Sequence, residues 1–124
     1  MKKIMIIEDG KSLNKMLTYL FLSRGYSVKS AHNGREALEV LNCMKFDAII
    51  LDLMMPEMDG YEFCGLLKED EAHKDTPVIV ISAVKKEVNE DRLRSIGISD
   101  YLEKPFSSME LLSIVSNAVA GEKE

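Results

Sequence analysis

Four short strand-like runs, each followed by a residue of a particular chemical type, constrain this chain more than any other feature. The runs are Ile4-Met5-Ile6-Ile7, Ala48-Ile49-Ile50-Leu51, Val78-Ile79-Val80-Ile81 and the shorter Asp100-Tyr101-Leu102; Glu8-Asp9, Asp52 and Ser82 come next after the first three, and Lys104 just past the fourth. Unbroken apolar runs of this length suit strands covered on both faces, as in a parallel sheet flanked by its crossover helices. In such a sheet every strand points the same way. Whatever follows a strand therefore lands on the carboxyl edge, where ligands bind. An acidic pair, a lone aspartate, a hydroxyl and an ammonium gathered there describe a divalent-metal site around a phosphorylatable carboxylate.

The intervening segments read as helices, so strand and helix alternate five times. Lys3 to Ile7 reads as a buried strand. Ser12 to about Arg24 reads as a helix with Leu13, Leu17, Leu20 and Phe21 on one face, ended by Gly25. Tyr26 to Ala31 is a looser, edge-like strand. Asn33 caps a second helix running to about Cys43, with Glu36 reaching back to it and Ala37, Leu38 and Leu41 inward. Phe46 to Leu51 is a central strand, and 54–60 is a loop. Asp59 with Glu62 caps a third helix carrying Phe63, Leu66 and Leu67. Pro77 opens the fourth strand. A fourth helix is predicted from Val84 to Ile96, its thin stripe made of Val84, Val88, Leu93 and Ile96, with Gly97 ending it. Ser99 to Leu102 is a last short strand. Ser107-Ser108-Met109-Glu110 is a capping box for a fifth helix with Met109, Leu112, Val115 and Val119 along one stripe; 121–124 form a polar tail.

Five such units with right-handed crossovers predict an α/β fold: a doubly wound five-stranded parallel sheet, order 2-1-3-4-5, helices on both faces. That is the flavodoxin-like order. It sets the first, third, fourth and fifth strands side by side about 4.8 Å apart, so Asp9, Asp52, Ser82 and Lys104 reach one ion or one phosphoryl group.

Bulk properties exclude other classes. The 124 residues suffice for one domain and not for two. The formal net charge of −5, with no stripe of lysine or arginine, argues against nucleic-acid binding. The longest early apolar run is four residues, too short for a signal-peptide core or a membrane span, so the expected location is the cytoplasm. Cys43 and Cys64 have no metal-like or redox-like spacing and read as small buried hydrophobes. His32 and His73 read as surface or turn residues.

Two carboxylates about 4 Å apart repel by on the order of 4 kcal/mol at an effective dielectric near 20. Three of them call for a cation, and hard oxygen donors suit Mg²⁺. Asp9 and Asp52 read as direct ligands and Glu8 as a direct or water-mediated one, with the Met54 backbone carbonyl completing the set. Lys104 balances the acids at rest and suits a phosphoryl oxygen, as does the Ser82 hydroxyl. Asp52, being central, is the expected nucleophile. Each residue also has a plainer reading: an acid at a helix N-terminus, a loop-forming Asp52, an N-cap at Ser82, a solvated Lys104. Four strand ends carrying the needed types in order outweigh those readings.

The sequence resembles the receiver domain of two-component response regulators. The resemblance rests on Phe46-Asp47-Ala48-Ile49-Ile50-Leu51-Asp52-Leu53-Met54-Met55-Pro56-Glu57-Met58-Asp59-Gly60, on Glu8-Asp9, on Ile81-Ser82-Ala83, and on Tyr101-Leu102-Glu103-Lys104-Pro105-Phe106, whose Lys-Pro bond is usually cis in that family. It implies that Asp52 becomes a 4-aspartylphosphate, taking its phosphoryl group from a sensor histidine kinase or a histidine phosphotransfer protein. It implies Mg²⁺ held by Glu8, Asp9, Asp52 and the Met54 carbonyl. It also implies a switch in which Ser82 swings toward the phosphoryl group and Tyr101 turns inward, altering the surface of the fourth helix, fifth strand and fifth helix. That surface would meet a downstream protein target or a phosphorylation-dependent second copy. Departures are small: Ser82 stands where threonine is commoner, and Gly97-Ile98-Ser99-Asp100 replaces a common Gly-Ala-Asp-Asp. Apolar Met54 and Val84 beside the site go, by the same resemblance, with a long-lived phosphoryl group.

Other readings fare worse. An aspartate-nucleophile phosphatase needs an acid two positions after Asp52, where Met54 stands, so no multiple-turnover enzyme is expected. A flavodoxin-type cofactor binder needs a phosphate loop after the first strand, where Glu8-Asp9 would repel phosphate. A degenerate pseudo-receiver, acting only as a binding module, would not keep every key position. Residues 1–124 are expected to form one receiver domain without an output domain, either complete or cut from a longer protein.

Overall fold

A computed structural model describes residues 1–55 and 58–121. Five parallel strands, β1 (Lys3–Ile7), β2 (Ser27–Ala31), β3 (Ala48–Asp52), β4 (Val78–Ser82) and β5 (Asp100–Glu103), form one sheet in the order β2-β1-β3-β4-β5. The helices are α1 (Lys11–Ser23), α2 (Gly34–Leu41), α3 (Gly60–Lys68), α4 (Glu90–Ile96) and α5 (Ser108–Gly121). This is the expected doubly wound, flavodoxin-like arrangement.

Side-chain alternation along the strands makes two cores. Ile4, Ile6, Ala48, Ile50, Ile79 and Ile81 point to one face, covered by Leu17 and Phe21 of α1 and by Leu111, Leu112, Val115 and Val119 of α5. Met5, Ile7, Ile49, Leu51, Val78 and Val80 point to the other, covered by α2, α3 and Leu93 of α4. Each fully buried aliphatic side chain contributes about 1.5–3 kcal/mol. β2 is half-buried, as an edge strand should be.

Several expectations need correction. Val84 does not begin a helix: its N–H donates to Ser82 Oγ at 3.1 Å, and its carbonyl accepts the Tyr101 hydroxyl. Both backbone groups are thus committed outside any helix. A 3₁₀ turn at Lys86–Asn89 follows, its first N–H held by Glu103 Oε2 at 3.0 Å, and α4 starts only at Glu90. The side chain of Val88 and residues 56, 57 and 122–124 lie outside the described part. In α3, Gly60, Phe63, Cys64 and Leu67 make the buried stripe and Leu66 falls off it, exposed. In α5, Leu111 takes the inward place expected for Met109, which is exposed.

Asn33 caps α2, accepting from the Glu36 N–H at 2.7 Å. The Glu36 carboxylate, however, reaches the N–H of His32 rather than that of Asn33. α2 stops at Leu41, short of Cys43, which is exposed rather than buried. His73 lies in the turn after α3, one of its two expected settings, but is buried there rather than at the surface. Its Nε2 donates to the Leu41 carbonyl at 3.0 Å, satisfying one of the acceptors that α2 leaves open at its end.

Candidate functional site

The register of the sheet assembles the site. Ile7 pairs with Leu51, Asp52 with Ile81, and Ser82 with Glu103, so the residues at and just past these positions form one row on the carboxyl edge. The Lys104 N–H donates to the Ser82 carbonyl at 2.7 Å, locking the ends of β4 and β5 together. The Lys104–Pro105 bond is cis, as in the family resembled.

Glu8, Asp9 and Asp52 each present a carboxylate oxygen, and these oxygens lie within 4.8 Å of one another. Glu8 and Asp52 are buried and Asp9 is exposed. Glu8 Oε2 accepts the Gly10 N–H at 3.0 Å, and Asp52 Oδ1 accepts the Met54 N–H at 3.0 Å. Lys104 Nζ sits 3.3 Å from Glu8 Oε1 and 3.3 Å from Asp52 Oδ2. Burial pushes the Glu8 carboxyl above its ordinary value, and the Asp52 charge adds to this; the Gly10 N–H and the Lys104 ammonium pull the other way without cancelling it. Burial alone would lower the Lys104 ammonium, but Asp52 and Glu8 outweigh it and hold the group above its usual value.

The donor set contains only oxygen, and three carboxylates face one ammonium. A hard divalent cation such as Mg²⁺ fits that set in chemistry and in charge. Ser82 is fully buried, its Oγ accepting from Val84. Tyr101 is half-buried with its hydroxyl already on the Val84 carbonyl. Ser82 and Tyr101 therefore meet at one residue, Val84.

Two supporting residues escaped the sequence reading. Gly60 opens α3 against the end of β3, and a Cβ there would stand 2.7 Å from the Leu53 Cα. Asn14 is buried in α1 with its amide on the backbone behind Glu8-Asp9. The available signal was a polar residue in the apolar stripe that Leu17 and Phe21 continue at i+3 and i+7.

A parallel five-stranded sheet of order β2-β1-β3-β4-β5 with acids, a hydroxyl and a lysine on its carboxyl edge defines a flavodoxin-like α/β domain with an acidic site on that edge. The family model for the response regulator receiver domain matches residues 4–116, and the chain belongs to that family. A probable transcriptional regulator of Pyropia yezoensis, ycf29, is 39% identical over 120 residues, 95% of this chain; the chain spans 53% of that regulator's length. The receiver domain of a signal transduction histidine kinase from Syntrophus aciditrophicus superposes with a TM-score of 0.91 at 32% identity, covering 100% of this chain and 94% of that one. The receiver domain of a sensor histidine kinase of Pseudomonas aeruginosa PAO1, 26% identical with a TM-score of 0.88 over 96% of this chain and 98% of its own, holds a magnesium ion in its active-site cleft. Among the described residues no helix is long and apolar enough to cross a membrane.

Proposed function

We propose that this domain is a phosphoacceptor in a two-component phosphorelay, with Asp52 taking the phosphoryl group from a phosphohistidine of a sensor kinase or histidine phosphotransfer protein. The observation that carries this reading is the environment of Asp52: buried at the end of the central strand, beside two further carboxylates, with Lys104 3.3 Å from its Oδ2. One carboxylate oxygen forms the new O–P bond as the N–P bond breaks. The imidazole keeps the bonding pair and takes up a proton. Lys104 exchanges a carboxylate partner for a phosphoryl oxygen. The Ser82 hydroxyl, an acceptor at rest, still has its proton to donate. Glu8, Asp9, Asp52 and the Met54 carbonyl would hold Mg²⁺, which when bound supplies positive charge to the phosphoryl oxygens. No side chain two positions after Asp52 offers a proton, so the domain acts once per phosphorylation rather than as a turning-over phosphatase.

A recess of about 370 Å³ lined by Leu13, Met16, Lys104, Pro105 and Phe106 lies beside the site. Its apolar walls around one ammonium suit a helix of the phosphodonor. On the other side, Ser82 and Tyr101 share Val84, so a move of Ser82 toward a phosphoryl group would free the Val84 N–H and disturb the turn that leads into α4. The output surface is then α4–β5–α5, read by a protein target, an attached output domain or a second copy. The test is intact mass after incubation with acetyl phosphate, with and without Mg²⁺. A Mg²⁺-dependent gain of one phosphoryl group, absent in Asp52→Asn, is expected; no gain in the wild type overturns the reading.

A further inference from the structure

The Asn14 amide makes three side-chain hydrogen bonds. Its Nδ2 donates to the Glu8 carbonyl at 2.9 Å and to the Ala31 carbonyl at 3.0 Å, and its Oδ1 accepts from Thr18 Oγ1 at 3.4 Å. Two carbonyls facing one end of the amide fix its orientation, because the flipped form would put oxygen against oxygen. The Glu8 carbonyl belongs to the peptide joining Glu8 to Asp9, the acidic pair itself. The Ala31 carbonyl also accepts the Glu8 N–H at 3.0 Å. The Glu8 side chain is fastened by Gly10 and Lys104. Every polar group of Glu8 is thus held, and its backbone carbonyl is held by Asn14.

We infer that Asn14 is a positioning residue for the acidic pair: it sets the peptide from which the Glu8 and Asp9 carboxylates project and so tunes the cation affinity of the site. This deepens the phosphoacceptor reading and rests on it. A structural role alone would look different. Leu17, one turn further along α1 and fully buried, packs the core without touching the Glu8-Asp9 backbone bonds. Residues that orient metal ligands typically change affinity by about 10- to 100-fold when lost.

The experiment measures Mg²⁺ affinity of the whole chain by calorimetry and amide hydrogen exchange of the metal-free protein by NMR, for wild type, Asn14→Ala, Asn14→Asp, Thr18→Val and Leu17→Ala. Asn14→Ala is expected to weaken Mg²⁺ binding about tenfold and to speed exchange of the Glu8 and Gly10 amides. Asn14→Asp, isosteric but unable to donate, should do at least as much. Thr18→Val, which removes only the hydroxyl donating to the amide oxygen, should show a smaller change in the same direction and keeps the test open if both Asn14 variants fail to fold. Leu17→Ala should lower the melting temperature and leave Mg²⁺ affinity within about twofold. Unchanged affinity in the Asn14 variants, or equal weakening in Leu17→Ala, overturns the inference. If the wild type itself binds no Mg²⁺ at millimolar concentration, the phosphoacceptor reading falls instead. The exchange data then decide alone: no faster Glu8 and Gly10 exchange in Asn14→Ala than in Leu17→Ala sinks the role of Asn14.

Discussion

Lys104 Nζ lies 3.3 Å from Asp52 Oδ2 across the gap between the ends of β5 and β3, and the same ammonium is 3.3 Å from Glu8. One cation answers two buried acids, with Asp9 close by. Lys104→Met should therefore leave carboxylates facing one another without compensation. We expect the metal-free variant to lose about 1–3 kcal/mol in urea unfolding, less than for a fully buried pair because the ammonium is partly exposed. Acetyl-phosphate labelling of Asp52 should slow about 100-fold, the scale of losing one preorganised charged donor. Labelling at the wild-type rate would remove Lys104 from the chemistry.

Asp52 meets two like charges and one opposite one. Asp52→Asn should raise the melting temperature of the metal-free protein by about 3 °C, equivalent to about 1 kcal/mol. Saturating Mg²⁺ should stabilise the wild type by mass action and narrow that advantage. An unchanged or lower melting temperature for the metal-free mutant would argue against a strained acidic cluster.

The parts of this domain that were legible in the sequence are those whose cause is local. The β1, β3 and β4 runs are apolar because both faces are covered, and that pattern needs no knowledge of partners. The acids, Ser82 and Lys104 were legible because strand direction alone places them on one edge. What stayed hidden depends on contacts distant in sequence. The start of α4 is delayed by Tyr101, 17 residues beyond Val84, and by the carboxylate of Glu103, 17 beyond Lys86. Asn14 finds one of its carbonyls on β2, and His73 its acceptor at the end of α2. In each case a polar group is satisfied by a backbone atom that periodicity does not reveal.

Gly60 shows how tightly the end of β3 is held. Its N–H donates to the Leu53 carbonyl at 2.9 Å, and an added Cβ would meet the Leu53 Cα and Cδ2 at 2.7 Å. Backbone cannot yield as a flexible side chain does. Gly60→Ala should cost about 1–3 kcal/mol in denaturant unfolding and slow labelling of Asp52, which precedes Leu53. Full stability in the variant would show that α3 can slide without cost.

The two thiols should separate by reactivity. Burial pushes the Cys64 thiol up to about 11, while Cys43 is exposed. The thiolate is the reactive form. With a chromogenic disulfide at pH 8, one equivalent should react quickly in the native protein and the second only on unfolding, and Cys43→Ser should remove the fast phase. Two fast equivalents would mean that the α3 face opens readily.

The pH dependence follows from Glu8. Its folded-state value lies above the ordinary 4.5, so between the two values the folded protein binds more protons than the unfolded chain. Stability must then fall as pH rises through that window. For the metal-free protein, this makes the melting temperature decline as pH is raised from about 4.5 toward neutrality, on top of the slopes from other groups. Glu8→Gln, which keeps the shape and an acceptor for Gly10 but has no proton to lose, should flatten the decline. Lys104 gives a slope of the same sign in another range: its raised value adds stability that is fully present below 10.5 and is lost only as pH rises into alkali. Under the proposed metal site, Mg²⁺ should compete with the proton at Glu8 and flatten the acid-side decline in the wild type while leaving Glu8→Gln less affected. Parallel melting-temperature profiles for wild type and Glu8→Gln without Mg²⁺ would show that Glu8 does not bear the strain of the acidic cluster.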